Sequence, residues 1–154
     1  MTAADLAQSI SRELPYLRRY ARALTGSQTA GDNYAAATLE AILSDRSVMQ
    51  GEDTRIGLFR TFHAIWQSTG QPVETEGQTA QEARAQAHLR SLTPNSREAL
   101  LLRTIEELRY DQIARIMQCD QAEAEELVQI ALNEMSQALS GKVMIIEDET
   151  IIAM

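Results

Sequence analysis

No lysine or arginine stands between Ile116 and Ser140, yet this stretch carries Asp120, Glu123, Glu125, Glu126 and Glu134. A surface built from it repels phosphate, because nucleic-acid binders draw most of their affinity from cations that neutralise the backbone. Cysteine is scarce too. Cys119 is the only one, which excludes an internal disulfide. With only 3 prolines and 23% charged residues, the composition is that of a folded chain rather than a disordered one. No apolar run approaches the roughly 18–20 residues of a membrane span. The opening MTAADLAQSI has neither a basic start nor an apolar core, so it is not a secretory signal, and the cytoplasm is the expected location. Nucleophile–base pairs, phosphate-cradling glycine loops and metal-ligand clusters are likewise missing, which argues against an enzyme. His63 and His88 are isolated and far apart, and core or surface roles are expected for both.

The net charge of −8 is unevenly spread. Residues 1–70 hold 7 basic and 7 acidic side chains, whereas residues 71–154 hold 7 and 15. An acidic surface ordinarily serves solubility. Its concentration in one half, and on one segment of that half, points to a more particular use.

Apolar residues recur at helical spacing through most of the chain. Leu6, Ile10, Leu14, Leu17, Tyr20 and Ala21 predict a first helix that Pro15 divides or restarts, with Gly26 as its stop. Residues 31–45 predict a second, alanine-rich helix with Asp32 as N-cap. Residues 53–68 predict a third, with Ile56, Phe59, Phe62, Ile65 and Trp66 on its apolar face. The pattern then breaks into a Gly-, Pro-, Thr- and Glu-rich linker over 69–84. His88–Leu92 leads into a helix over 93–108 whose start is marked by Pro94 and by Asn95 or Ser96. A short helix over 109–117, a turn, and a long helix over 121–140 complete a helix-turn-helix plan. Asp111 supplies an N-terminal charge to the short helix, and Cys119 fills the turn as a small packing residue. The fold expected is all-α: one helical bundle over 1–68 and a second over 85–140. Residues 141–154 change character. Val143, Met144, Ile145 and Ile146 suggest a buried strand, which cannot stand alone and would begin a further domain.

On a helical wheel Ala124, Val128, Ala131, Met135 and Ala138 share one narrow face, the one that packs on the other helices. Ile130 lies away from it, with Glu126 and Glu134 one turn before and after. Leu127 sits at the edge of the core stripe, one turn from Glu123. The outer face is thus an aliphatic spot ringed by carboxylates. It suits a basic amphipathic helix, with apolar anchors supplying affinity and charges steering encounter. The plainer expectation is that Ile130 and Leu127 cover a neighbouring helix or an adjoining domain. Arg18, Arg19 and Arg22 form a partly shared face of the first helix, either solvated or pairing with acids of a partner.

These stretches, taken in order over about residues 5–140, resemble a bacterial sigma factor of the extracytoplasmic-function type. LPYLRRYARALTG with GDNYAAATLEAIL resembles sigma region 2, and LRSLTPNSREALLLRTIEELRYDQIARIMQCDQAEAEELVQIALNEM resembles region 4. The departures are informative. Ala35 and Ala36 stand where a polar Gln-Glu pair helps dock polymerase. Glu123, Glu125, Glu126, Leu127 and Ile130 stand where basic and hydroxyl residues face promoter DNA. KVMIIEDE resembles the first strand of a response-regulator receiver, in which Glu147 and Asp148 would match the acidic pair that holds Mg²⁺. A sigma-like module followed by a receiver resembles the PhyR-type regulators of the general stress response. That resemblance implies an anti-anti-sigma factor, a sigma mimic that sequesters a NepR-type anti-sigma factor. It also implies control by receiver phosphorylation from an upstream histidine kinase, with the receiver of the same chain as an internal partner. DNA, a membrane and, in this chain, a cofactor or phosphorylated aspartate are not expected. Glu123, Glu126, Leu127, Ile130 and Glu134 are the expected partner-binding residues. The alternative is a genuine sigma factor that binds polymerase and promoter DNA. A purely structural, oligomerising helical module is a third reading.

Overall fold

The computed structural model describes residues 3–49, 51, 53–70 and 94–153, with side chains described for these residues except Ala3, Pro94 and 138–153. The interior of the expected linker, the His88–Leu92 lead-in, and the side chains of Ala138, Glu147 and Asp148 lie outside the described residues. Helix α1 (Ala3–Thr25) is continuous through Pro15, where a division or restart was expected. Pro15 is exposed, so the backbone carbonyl it leaves without an N–H donor can turn to water. Gly26 ends the helix as expected, at φ 77°, where its N–H donates to the Arg22 carbonyl.

Helix α2 (Gln28–Ser44) begins before the expected cap. Ser27 is the N-cap, and its Oγ accepts from the Ala30 N–H at 3.1 Å. Asp32 lies inside the helix and faces α1, where it accepts from Arg22 (3.0 and 3.1 Å) and Arg18 (3.3 and 3.4 Å). The two helices approach so closely at Gly31 that a Cβ there would stand 2.7 Å from the Arg22 nitrogen. A 3₁₀ turn (Arg46–Met49) leads to α3 (Thr54–Ser68). Phe59, Phe62 and Trp66 of α3 are fully buried and meet Tyr20 and Tyr34 in edge-on ring contacts. This aromatic stack is the centre of the first unit.

Helix α4 (Pro94–Thr104) starts at the expected proline but stops four residues before the expected end. Its last carbonyls are capped by a turn in which Glu107 takes φ 53° and Leu108 N–H reaches the Leu102 carbonyl. Helix α5 (Tyr110–Met117) follows, and the Gln112 side chain accepts from the Arg109 N–H at 2.9 Å. Asp111 answers Arg109 at 3.0 Å and Arg115 at 3.5 Å. A left-handed Gln118 (φ 55°) turns the chain into α6 (Gln121–Ala153). Ala124, Val128 and Ala131 are buried and Met135 half-buried, the face expected from the wheel.

The strand expected over 143–146 is instead helical, as part of α6. An isolated strand leaves its backbone groups unpaired, whereas a helix satisfies them within itself. Among the described residues there is no strand for it to pair with. The fold is all-α, with α1–α3 and α4–α6 as its two helical units. They are not merely tethered, because buried side chains of both belong to one continuous core.

Candidate functional site

The helix-turn-helix turn and the start of α6 face the C-terminal half of α3. Between them lies a groove of about 370 Å³, lined by His63 and Gln67 of α3, Asn95 of α4, Met117–Cys119 of the turn, and Glu123 and Leu127 of α6. Two of the five expected partner-binding residues therefore stand at the groove. Glu126, Ile130 and Glu134 do not line it and continue along the same outer stripe of α6. Ile130 is 36% exposed and Glu126 is exposed, whereas Leu127 and Glu134 are half-buried. Leu132 is also exposed, on a different side of the helix. The aliphatic spot with acids around it thus exists on the surface. Its lower end opens into a cleft shared with the first unit.

The charged side chains between Ile116 and Gln137 are all carboxylates. Burial, and then the charges of Glu123 and Asp120, push the Cys119 thiol above its ordinary range. Such a thiol stays protonated and packs as a small apolar group, the role expected of it. Asp32 sits apart on the first unit. Its hydrogen bonds from Arg22, with help from Arg18, hold its carboxyl below the usual carboxylate range.

Behind the groove the two units meet through polar side chains that the sequence did not pair. His63 Nδ1 lies 2.8 Å from both carboxylate oxygens of the fully buried Glu98. The buried Glu106 accepts from Arg55 of α3 and, at 3.2 Å, from Arg19 of α1. Gln67 Nε2 donates to Asn95 Oδ1 at 2.7 Å at the groove mouth. The Arg97 guanidinium, only 2% exposed, lies 6.0 Å from the centre of the Trp66 ring. Burial and the Glu98 charge push the Tyr20 phenol well above its ordinary value, so it is neutral. Of the arginine face expected on α1, none is simply solvated: Arg18 and Arg22 answer Asp32, and Arg19 answers Glu106.

His63, Gln67 and Asn95 had no local signal as site residues. Each sits at ordinary helical spacing, and only the meeting of two units makes them neighbours. Ala35, which the resemblance sets against a polymerase-docking side chain, is buried, and Ala36 is exposed with only a methyl group to offer. Among the described residues no cluster of three or more His, Cys, Asp or Glu side chains is placed to hold a metal. Two neighbouring carboxylates such as Glu147 and Asp148 fall short of the near-octahedral oxygen set that Mg²⁺ demands. Among the described residues no helix is long and apolar enough to cross a membrane. Chemically, the surface can seat an apolar side chain flanked by cations. Its outer stripe on α6 carries no lysine or arginine to neutralise a phosphate.

Comparison with known proteins agrees with this geometry. Residues 10–63 match the family described as the Sigma2 domain of PhyR, and residues 89–138 match the sigma-like domain of the response regulator PhyR. The phyllosphere-induced regulator PhyR of Methylorubrum extorquens is 38% identical over 149 residues, which is 96% of this chain and 55% of that protein. The chain thus spans about half the length of this curated relative. The NMR structure of the PhyRSL–NepR complex from Sphingomonas sp. Fr1 superposes with a TM-score of 0.73 at 40% identity, covering 89% of this chain and 88% of that one. The sigma factor RpoE of Bartonella quintana, solved with the anti-sigma factor NepR, shares the fold alone, with a TM-score of 0.73 at 20% identity over 88% of this chain and 97% of that one. Both helical units match the same family in the same order, and a 40%-identical structure covers nearly all of them, so the chain belongs to the PhyR family of response regulators, through its sigma-like part.

Proposed function

We propose that this chain is an anti-anti-sigma module that imitates a sigma factor and sequesters a NepR-type anti-sigma factor, thereby releasing the true sigma factor for a general stress response. The observation that carries this reading is the outer stripe of α6. On a sigma-like fold, the helix that should meet DNA presents Glu123, Glu126, Leu127, Ile130 and Glu134 and no cation. A basic amphipathic helix would bury an apolar anchor against Leu127 and Ile130 while its Lys and Arg meet the acidic rim. The cytoplasm is the compartment where such a partner and the transcription machinery meet. The module works as a binding surface and not as an enzyme.

In the full regulator, a receiver phosphorylated by an upstream histidine kinase would control access to this surface. There, residues 142–149 would pair as the receiver's first strand, and Glu147 and Asp148 would contribute to a Mg²⁺ site completed by the rest of that domain. The likeness of the fold to a sigma factor favours one other reading, direct binding of polymerase and promoter DNA. Titration calorimetry with a NepR-type anti-sigma factor separates the two. The expected result is tight binding that weakens as salt rises from 50 to 500 mM, with Ile130→Arg at least about tenfold weaker, equivalent to ~1.4 kcal/mol. No binding to that partner, together with a gel shift of promoter DNA in the presence of core polymerase, would replace the mimic with a genuine sigma factor.

A further inference from the structure

The seam between the two units is asymmetric in charge. Each carboxylate paired across it belongs to the second unit, and the nitrogen it faces belongs to the first. Glu98 of α4 faces His63 of α3. Glu106, in the turn after α4, faces Arg55 of α3 and Arg19 of α1. Both carboxylate side chains are 0% exposed. Arg19 and Arg55 also donate to the backbone carbonyls of Ile105 and Glu106, at 3.3 Å each, so the clasp grips the main chain as well. A buried carboxylate without its hydrogen-bonding partner is strongly unfavourable, so each acid ties the position of its own unit to that of the other.

The groove is lined by residues of both units, so its width is the distance between them. His63 belongs to both features: it lines the groove and holds Glu98 behind it. The fit across the seam is incomplete. Among the described residues, the buried Glu106 Oε1 and Arg97 Nε and Nη2 have no hydrogen-bond partner. Apolar packing alone would not align the groups that do pair, and the contacts of Glu98 with His63 and of Glu106 Oε2 with Arg55 and Arg19 define one register of the two units rather than a range of them.

We propose that Glu106, with Glu98, is a positioning residue that sets the width of the groove and so the affinity for the partner, without touching the partner. The proposal rests on the groove as the partner's seat. Its first test does not use the partner. Exposed sites Leu43 and Glu125 are replaced by labelled cysteines in a Cys119→Ser background, and inter-unit distances are measured by pulsed electron–electron resonance. The expected result for Glu106→Gln is native helix content by circular dichroism, a broadened distance distribution, and about tenfold weaker binding of a NepR-type anti-sigma factor. Arg19→Met, at a half-exposed position that leaves Glu106 its Arg55 contact, is expected to broaden the distances less and weaken binding about threefold. Should Glu106→Gln fail to fold, Arg19→Met decides the question by itself. Unchanged distances in a folded variant would overturn the proposal, and so would broadened distances with unchanged affinity. If the parent chain bound no anti-sigma factor at all, the functional reading would fail, while the distances would still report on the clasp.

Discussion

Asp32 answers two arginines of α1 from within α2, and hydrogen bonds from Arg22 and Arg18 depress its pKa. A depressed carboxylate pKa contributes stability above the ordinary value of about 3.9, and that contribution is lost as pH falls through the folded-state value. Urea denaturation at pH 7, 4 and 3 should therefore show stability falling at the acid end, and Asp32→Asn should flatten part of that fall. Partial exposure keeps the effect small, because solvent screens such pairs. Cys119 offers a second check at the same scale. Its raised pKa and half-buried setting predict alkylation at pH 7.5 well below the rate of a free cysteine, with the ordinary rate regained in urea. Equal rates in both conditions would mean that the turn is open.

Helix pairing depends on what each helix leaves out. Gly31 lets α2 lie against the backbone of α1, where a Cβ would fall 2.7–2.9 Å from Arg22 and Ala21 backbone atoms. Those atoms belong to a helix and cannot yield singly. Gly31→Ala should thus lower stability by about 1–3 kcal/mol despite the better helix propensity of alanine, as read from chemical denaturation. A stability gain would show that α1 and α2 can part without loss. The tail of α6 illustrates the opposite dependence. An apolar run reads as strand only if a sheet is present to receive it, and within this chain the same residues close helical hydrogen bonds. Pro15 follows the same logic: proline is a break by local rule, yet packing on both sides carries α1 through it.

As a whole molecule, the chain has one core running through both helical units, with Trp66 and Phe59 on one side and Leu102 and Ile113 on the other among its fully buried members. Thermal unfolding by calorimetry should accordingly be a single transition, with van't Hoff and calorimetric enthalpies in agreement. Two separated transitions would show that the seam contributes little. The sequence by itself determined the helices, the aromatic centre, the buried face of α6 and the absence of cations from its outer face, because each of these is a matter of spacing or composition along a few turns. It also showed Glu123, Leu127 and Ile130 as surface candidates. Only the tertiary structure decided that Glu123 and Leu127 open onto a groove with His63, Gln67 and Asn95, and that Arg19, Arg55 and His63 face buried acids. His63 and Glu98 are 35 residues apart, and Arg55 and Glu106 are 51 apart. Periodicity reports which face of a helix is buried, but it carries no information about which distant side chain that face will meet.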